Sequence, residues 1–176
     1  MSDIELKEPT LEYADDIWHF RQELLDANDP SRFAGCSRLE ACISAKEWID
    51  AVNRIKSEKT CPRDKVPSHV YLALRRTDNK IVGITDLRHH IDHPILGTWG
   101  GHIGYSVRPS ERNKGYAKEM LRQNLKNCQT LGILKVLITC NTDNIASEKT
   151  ILALGGIFEK EIEANGHLMK RYWITL

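Results

Sequence analysis

Four cations, Arg108, Arg112, Lys114 and Lys118, surround Gly115 and Ala117 in the run RPSERNKGYAKEML, where an apolar alternating stretch, HIGYSV, gives way to a helical one. A strand that turns into a helix leaves the first helical N–H groups without carbonyl partners. Those donors, with the positive end of the helix dipole, attract an anion by roughly 0.3 to 2 kcal/mol per contact. Gly115 removes a side chain where a phosphate would approach, and Ala117 keeps the next turn small. The spacing fits a cradle for a pyrophosphate-sized anion, and it fits equally an ordinary basic helix start on a solvated face. Neither G-x-x-x-x-G-K-[ST] nor G-x-G-x-x-G occurs after the strand, which argues against a nucleotide triphosphatase and a dinucleotide fold.

A second group of reactive side chains precedes it: Asp86, Arg88, His89, His90, Asp92 and His93. The spacing H-H-x-x-H matches no strong metal-ligand pattern, so no metal site is expected. These residues read either as the lining of an acceptor site, with Asp86 or Asp92 attracting an ammonium and Arg88 and His89 beside it, or as a strand that ends in polar residues. His102 titrates in the range a general base needs, with an ordinary pKa of about 6.5. Strand alternation places 101, 103 and 105 on one face and His102 on the other, so that only a bulge would turn the ring inward. Asn144 has the position of a helix cap. Cys140 has no base or cation visibly beside it, and nothing marks it as a nucleophile. The four tryptophans read as core or groove walls.

The elements that must position these residues follow from period and punctuation. Ile4 to Lys7 alternates and ends before Pro9, an edge strand. Leu11 to Ala27 is helical after Thr10 and closes at Asn28-Asp29-Pro30, and a second helical pattern spans Leu39 to Ile55. HVYLALRR and KIVGITDLRHH are strands joined at Thr77-Asp78-Asn79, and GHIGYSV is the next. A helix from Lys114 to Leu131, the strand ILKVLITC, a helix from Asn144 to Leu154, and the strands IFEKEIE and MKRYWITL turned at Asn165-Gly166 complete the chain. Strands first, then β-α-β-α-β, describe a mixed sheet with helices on both faces.

A chain of 176 residues is sized for one domain, residues 1–176. Twenty-five basic residues against 24 acidic ones leave a net charge of +1, so no global field recruits nucleic acid or an anionic membrane. Five cysteines, odd in number and never spaced C-x-x-C, speak for a reducing compartment, and no run approaches the ~20 apolar residues of a membrane span. The expectation is a cytoplasmic protein.

Arg112-Asn113-Lys114-Gly115-Tyr116-Ala117 fits [QR]-x-x-G-x-[GA], and here the chain resembles the GNAT acetyltransferase superfamily, whose acetyl-CoA motif lies between the fourth strand and the third helix. VLITCNTDNIASEKTILALGG is similar to that family's fifth strand and fourth helix, in the N-x-x-S form of the ribosomal-protein acetyltransferases. GGHIGYSVRPSERNKGYA looks like a subgroup known as predicted acetyltransferases. The resemblance implies an α/β (α+β) fold, a mostly antiparallel central sheet of about seven strands flanked by about four helices and splayed between strands 4 and 5. It implies that the backbone at Arg112, Asn113, Lys114, Gly115, Tyr116, Ala117 and Lys118 holds the coenzyme A pyrophosphate. Val107, Tyr105 and Asn144 would meet the pantetheine arm, and an amide near Tyr105 would polarise the thioester carbonyl. The tyrosine that many members carry on the fourth helix falls on Ile151, and Ser147 is expected to hydrogen-bond the leaving sulfur instead. The fourth-strand glutamate of some relatives aligns with Gly101, which leaves neighbouring His102 as the candidate base.

The implied function is acetyl transfer from acetyl-CoA to the primary amine of a small molecule or peptide, by direct attack in a ternary complex. The alternative is a non-catalytic acyl-CoA-binding or sensing module. Coenzyme A is the expected partner, without nucleic acid or membrane, in a monomer or homodimer.

Overall fold

The computed structural model describes residues 2–29 and 33–176. Seven strands and four α-helices alternate along it among the described residues: β1 (Ile4–Lys7), α1 (Ala14–Asp26), α2 (Ala45–Ile55), β2 (Ser68–Arg75), β3 (Ile81–Arg88), β4 (Ile103–Val107), α3 (Tyr116–Thr130), β5 (Lys135–Asn141), α4 (Ile145–Ala153), β6 (Ile157–Ala164) and β7 (His167–Thr175). The strands form two antiparallel ladders, β1-β2-β3-β4 and β5-β7-β6. The splay expected between the fourth and fifth strands is thus a true break in the ladder.

Alternation decides which face each residue covers. Val70, Leu72 and Leu74 of β2 point at α1 and α2, where they meet Ile17, Phe20, Leu24, Trp48 and Val52. On the opposite face Ala73 and Val82 pack on Met120 of α3. Leu121 and Leu125 continue that layer over Leu87, Val136 and Ile138. β6 is the outer edge of its sheet, almost wholly exposed and carrying a bulge near Phe158.

Some boundaries differ from the sequence reading, each for a local reason. The second helix begins at Ala45, not Leu39, because Ser44 caps it: its Oγ accepts the Glu47 N–H at 3.1 Å, while the Glu47 carboxylate accepts the Ile43 N–H at 2.7 Å. Leu39–Ala41 is a separate single turn. The third helix begins at Tyr116 because Gly115 takes a left-handed φ of 83°. Pro30, read as the end of the first helix's turn, lies outside the described residues.

Arg108, read from sequence as part of a cationic rim, is buried instead, 2% exposed. Its Nε donates to the Ile81 carbonyl at 2.6 Å and one terminal nitrogen to Glu23 Oε1 at 2.8 Å; the other pairs with Asp16, and the guanidinium lies over Phe20. Asp16 also accepts the Ile81 N–H at 2.7 Å. One residue therefore fastens α1 to both β3 and the end of β4. Removing it leaves Asp16 with the Ile81 amide and Glu23 with Ser110 in place of their charged partner, and losing one member of a buried pair costs about 3 to 5 kcal/mol, less where the partners reach water. Arg108→Ala is expected to lower unfolding stability by about 3 kcal/mol in a urea titration, with no loss if the cluster is ornamental.

Candidate active site

Where β4 and β5 part, a cavity of about 990 Å³ opens. Residues 103–107 form one wall, and residues 139–141 with 144–147 form the other. Residues 112–113 and 115–118 line the end beyond Val107. Residues 33–35, which lie beside Gly104 and Ser106, complete the lining with Glu40, Arg88, Trp99 and Gly100, and Asn165, His167 and Met169 reach in from the β6–β7 hairpin.

The end beyond Val107 is the turn singled out from sequence. Asn113 and Gly115 both have positive φ, 63° and 83°, and the chain then enters α3 without a side-chain cap. The first intrahelical bond is Glu119 N–H to the Gly115 carbonyl at 3.1 Å. The amides of Tyr116, Ala117 and Lys118 therefore have no protein acceptor among the described residues and face an anion-sized space. A Cβ on Gly115 would meet nothing within 4 Å, so the left-handed backbone rather than crowding is what calls for glycine there.

Not every cation of the motif belongs to this end. Arg112 and Lys118 line the cavity, and Arg112 also pairs with Asp29 at 2.9 Å. Lys114 turns away onto Glu111, Nζ to Oε2 2.8 Å, and is absent from the lining. Lys149 of α4 lines the cavity instead, a residue that no motif or period marked.

Along β4 the ladder decides which backbone groups are free. The Gly104 N–H donates to Asp86 Oδ1 and the Arg108 N–H to the Val82 carbonyl, both at 2.8 Å and both toward β3. Alternation then turns the N–H and C=O of Tyr105 and Val107 away from β3, into the cleft. The Val107 carbonyl there accepts from Arg112 Nε at 3.4 Å. Across the cleft, Asn144 caps α4 by accepting the Ser147 N–H at 3.1 Å. The Ser147 hydroxyl meets the Tyr105 hydroxyl at 2.7 Å. Burial pushes the Tyr105 phenol up to about 12 and the Cys140 thiol up to about 11, so both are protonated near neutrality.

With this geometry in view, comparison with known proteins decides the family. Residues 3–157 match the family model described as an acetyltransferase (GNAT) domain. The chain belongs to the GNAT acetyltransferase family. No curated protein matches it. Among solved structures, a ribosomal-protein-S5-alanine acetyltransferase from Vibrio fischeri superposes with a TM-score of 0.75 at 14% identity, covering 99% of this chain and 94% of that one. A microcin C7 self-immunity acetyltransferase in complex with acetyl-CoA and AMP gives 0.70 at 18%, over 100% and 94%. A ribosomal L7/L12 alpha-N-protein acetyltransferase in complex with coenzyme A gives 0.69 at 19%, over 100% and 96%. At such identities the likeness is one of fold: the sheet broken between β4 and β5 is the GNAT architecture.

Within this GNAT domain the residues expected to meet an acceptor divide. Arg88 lines the cavity, but its guanidinium is engaged with the Gly100 and Gly101 carbonyls at 2.9 and 3.2 Å and with Asp86 at 2.8 Å. Asp86 is buried beneath it, and burial pushes its carboxyl up against the pull of Arg88. His89 stands outside the lining, its Nε2 2.7 Å from His69 Nδ1. Arg88 and Arg171 together hold the carbonyls of a wide turn, Leu96–Gly100, that presents Trp99 to the cavity. Arg171 gave no signal in the sequence, because the carbonyls it holds in this turn lie more than 70 residues away; its other partner is Glu159 at 2.6 Å. No group of three or more metal-ligating side chains occurs among the described residues.

His102 does not reach the cleft as a base. Its ring Nδ1 accepts the Leu137 N–H at 2.9 Å, and its backbone N–H donates to the Leu137 carbonyl at 2.8 Å. The β3–β4 register runs without a shift among the described residues, and His102 is not part of the cavity lining. Burial and the nearby Arg88 charge lower its pKa to about 4. The unfolded chain, with an ordinary value of about 6.5, takes up the proton first as pH falls, so stability is lost between about pH 6.5 and 4. His102→Asn keeps an acceptor without a titrating ring. Between pH 7 and 5 the wild type should lose about 2 kcal/mol more than this variant by chemical denaturation; equal losses would contradict the assignment.

Proposed function

We propose that the chain is an acetyl-CoA-dependent N-acetyltransferase, in which an amine attacks the thioester directly within a ternary complex. The observation that carries this reading is the single cleft that joins three uncapped α3 amides to outward-facing β4 backbone and to Ser147. Family membership and the coenzyme-bound proteins of the same fold support acetyl-CoA as the donor.

In this reading the amides of Tyr116, Ala117 and Lys118 hold the pyrophosphate, with charge from Arg112, Lys118 and Lys149. The pantetheine arm lies along the backbone of Tyr105 and Val107 and reaches Asn144. The Tyr105 N–H polarises the thioester carbonyl, a fixed donor that costs no reorganisation as charge develops. Ser147 donates to the departing sulfur. Holding amine and thioester in attack geometry supplies about 7 to 11 kcal/mol of the barrier on its own, so the chemistry does not hang on a dedicated base. The acceptor enters at the opposite end, against Phe33, Gly35, Trp99 and His167, where Glu40 forms no ion pair with a described residue and attracts an ammonium. A small-molecule amine and a peptide amino group both suit that open end.

Calorimetry with coenzyme A tests the cradle. Ala117→Glu, which sets a carboxylate against the amides, should weaken binding by about 10-fold or more; unchanged affinity would move the pyrophosphate elsewhere. Transfer is tested by free-thiol release from acetyl-CoA across a panel of primary amines and amino-terminal peptides. Ser147→Ala should cut the turnover of any accepted amine by about 10²-fold. Tight coenzyme A binding with no thiol release from any amine would favour a binding or sensing module instead.

A further inference from the structure

We infer that the Tyr105 hydroxyl relays the proton that Ser147 passes to the departing sulfur. The inference rests on the transferase reading above and deepens it. Tyr105 and Ser147 come from opposite walls of the cleft, β4 and the first turn of α4, and their oxygens are 2.7 Å apart. Ser147 is fixed from below, since Asn144 Oδ1 accepts its amide at 3.1 Å. Tyr105 is fixed from above, its ring packed between the residues around Leu87 and Ile103 and those around Val82 and Met120. The pair therefore spans the gap as a preformed bridge.

The other hydroxyls of the described walls are engaged elsewhere, Ser106 Oγ with the Ala34 carbonyl at 2.7 Å. Thr150 Oγ1 is bonded to the Ala146 carbonyl at 2.9 Å and Thr139 Oγ1 to the Trp99 carbonyl. Ile151, one turn along α4 from Ser147, is fully buried and carries no proton to give. The Cys140 thiol, pushed up by burial and so protonated, offers only a weak donor. A serine hydroxyl alone would be left as a high-energy alkoxide on giving up its proton. A phenol behind it, ordinarily titrating near 10 and held protonated here by burial, refills the serine in the same motion.

The step balances. The amine nitrogen forms its bond to the thioester carbonyl carbon, and the C–S bond breaks with its electron pair going to sulfur. The sulfur takes the Ser147 Oγ proton, and Ser147 takes the Tyr105 proton. The phenolate is refilled from water in the cleft, which receives the proton that the nitrogen sheds. Nitrogen loses one proton and sulfur gains one.

The test needs no knowledge of the acceptor. Coenzyme A bound to the protein is titrated by the ultraviolet absorbance of its thiolate. Donors aimed at the sulfur hold the thiol pKa down, so it should rise by about one unit in Tyr105→Phe and at least as much in Ser147→Ala, with coenzyme A affinity within about twofold of wild type. With any amine that supports thiol release, Tyr105→Phe should lower kcat about 10-fold and leave KM for acetyl-CoA in place. A Tyr105→Phe protein with wild-type thiol pKa and kcat, beside a Ser147→Ala protein altered in both, overturns the relay and leaves the transferase reading intact. A wild-type protein that binds no coenzyme A overturns both.

Discussion

Among the described residues two hydrogen bonds, made by His102 just before β4, hold that strand against β5, and the cavity depends on their being at one end only. The His102 amide and ring nitrogen grip both polar groups of Leu137, and beyond that residue the strands diverge. The neutral imidazole behaves here as a piece of backbone, supplying an acceptor where the ladder runs out. Gly101 is required just before it: its φ is 69°, and a Cβ there would come within 2.7 Å of the Leu137 carbonyl oxygen. The strands are thus closed at the start of β4 and open where it leads to α3. An unpaired stretch of buried sheet edge would ordinarily be costly, and here it lines the cavity between β4 and β5.

Much of this was legible in the sequence, and the rest has a common reason for being hidden. Period-two alternation gave the strands to within a residue or two, and the turn around Gly115 was readable because a left-handed residue before a helix is a local event. The resemblance to GNAT acetyltransferases then supplied what no spacing could, the cleft between β4 and β5. What stayed hidden are pairings between distant segments. Arg108 looked like a partner for phosphate because the carboxylates that claim it, Asp16 and Glu23, lie more than 80 residues earlier. His102 looked like a base because the amide it serves is 35 residues on. Tyr105 was noticed for its amide, while its hydroxyl found Ser147 across 42 residues. The capping pair Ser44 and Glu47, by contrast, was local and readable, and its neglect misplaced the start of α2.

The electrostatics of the anion end are correspondingly different from the first impression of a basic patch. Of four motif cations, Arg108 serves α1, Lys114 serves Glu111, and Arg112 is shared with Asp29. Glu111 is itself buried and held well down, to about 2, chiefly by Lys114 and Lys80. Most of the visible charge is thus consumed in fixing the turn's shape, and the amides with Lys118 and Lys149 are what remain to meet an anion.

The exposed outer strand β6 has a consequence for how molecules of this protein meet one another. A bare sheet edge invites a second copy to add its own edge strand. Here the inviting segment carries Glu159, Glu161 and Glu163. An antiparallel two-fold pairing of β6 with itself sets glutamate across from glutamate in the registers of greatest overlap, and like charges directly opposite repel. The hairpin that lends His167 and Met169 to the cleft therefore carries, on its outer strand, a charge pattern that disfavours pairing with the same strand of a second copy.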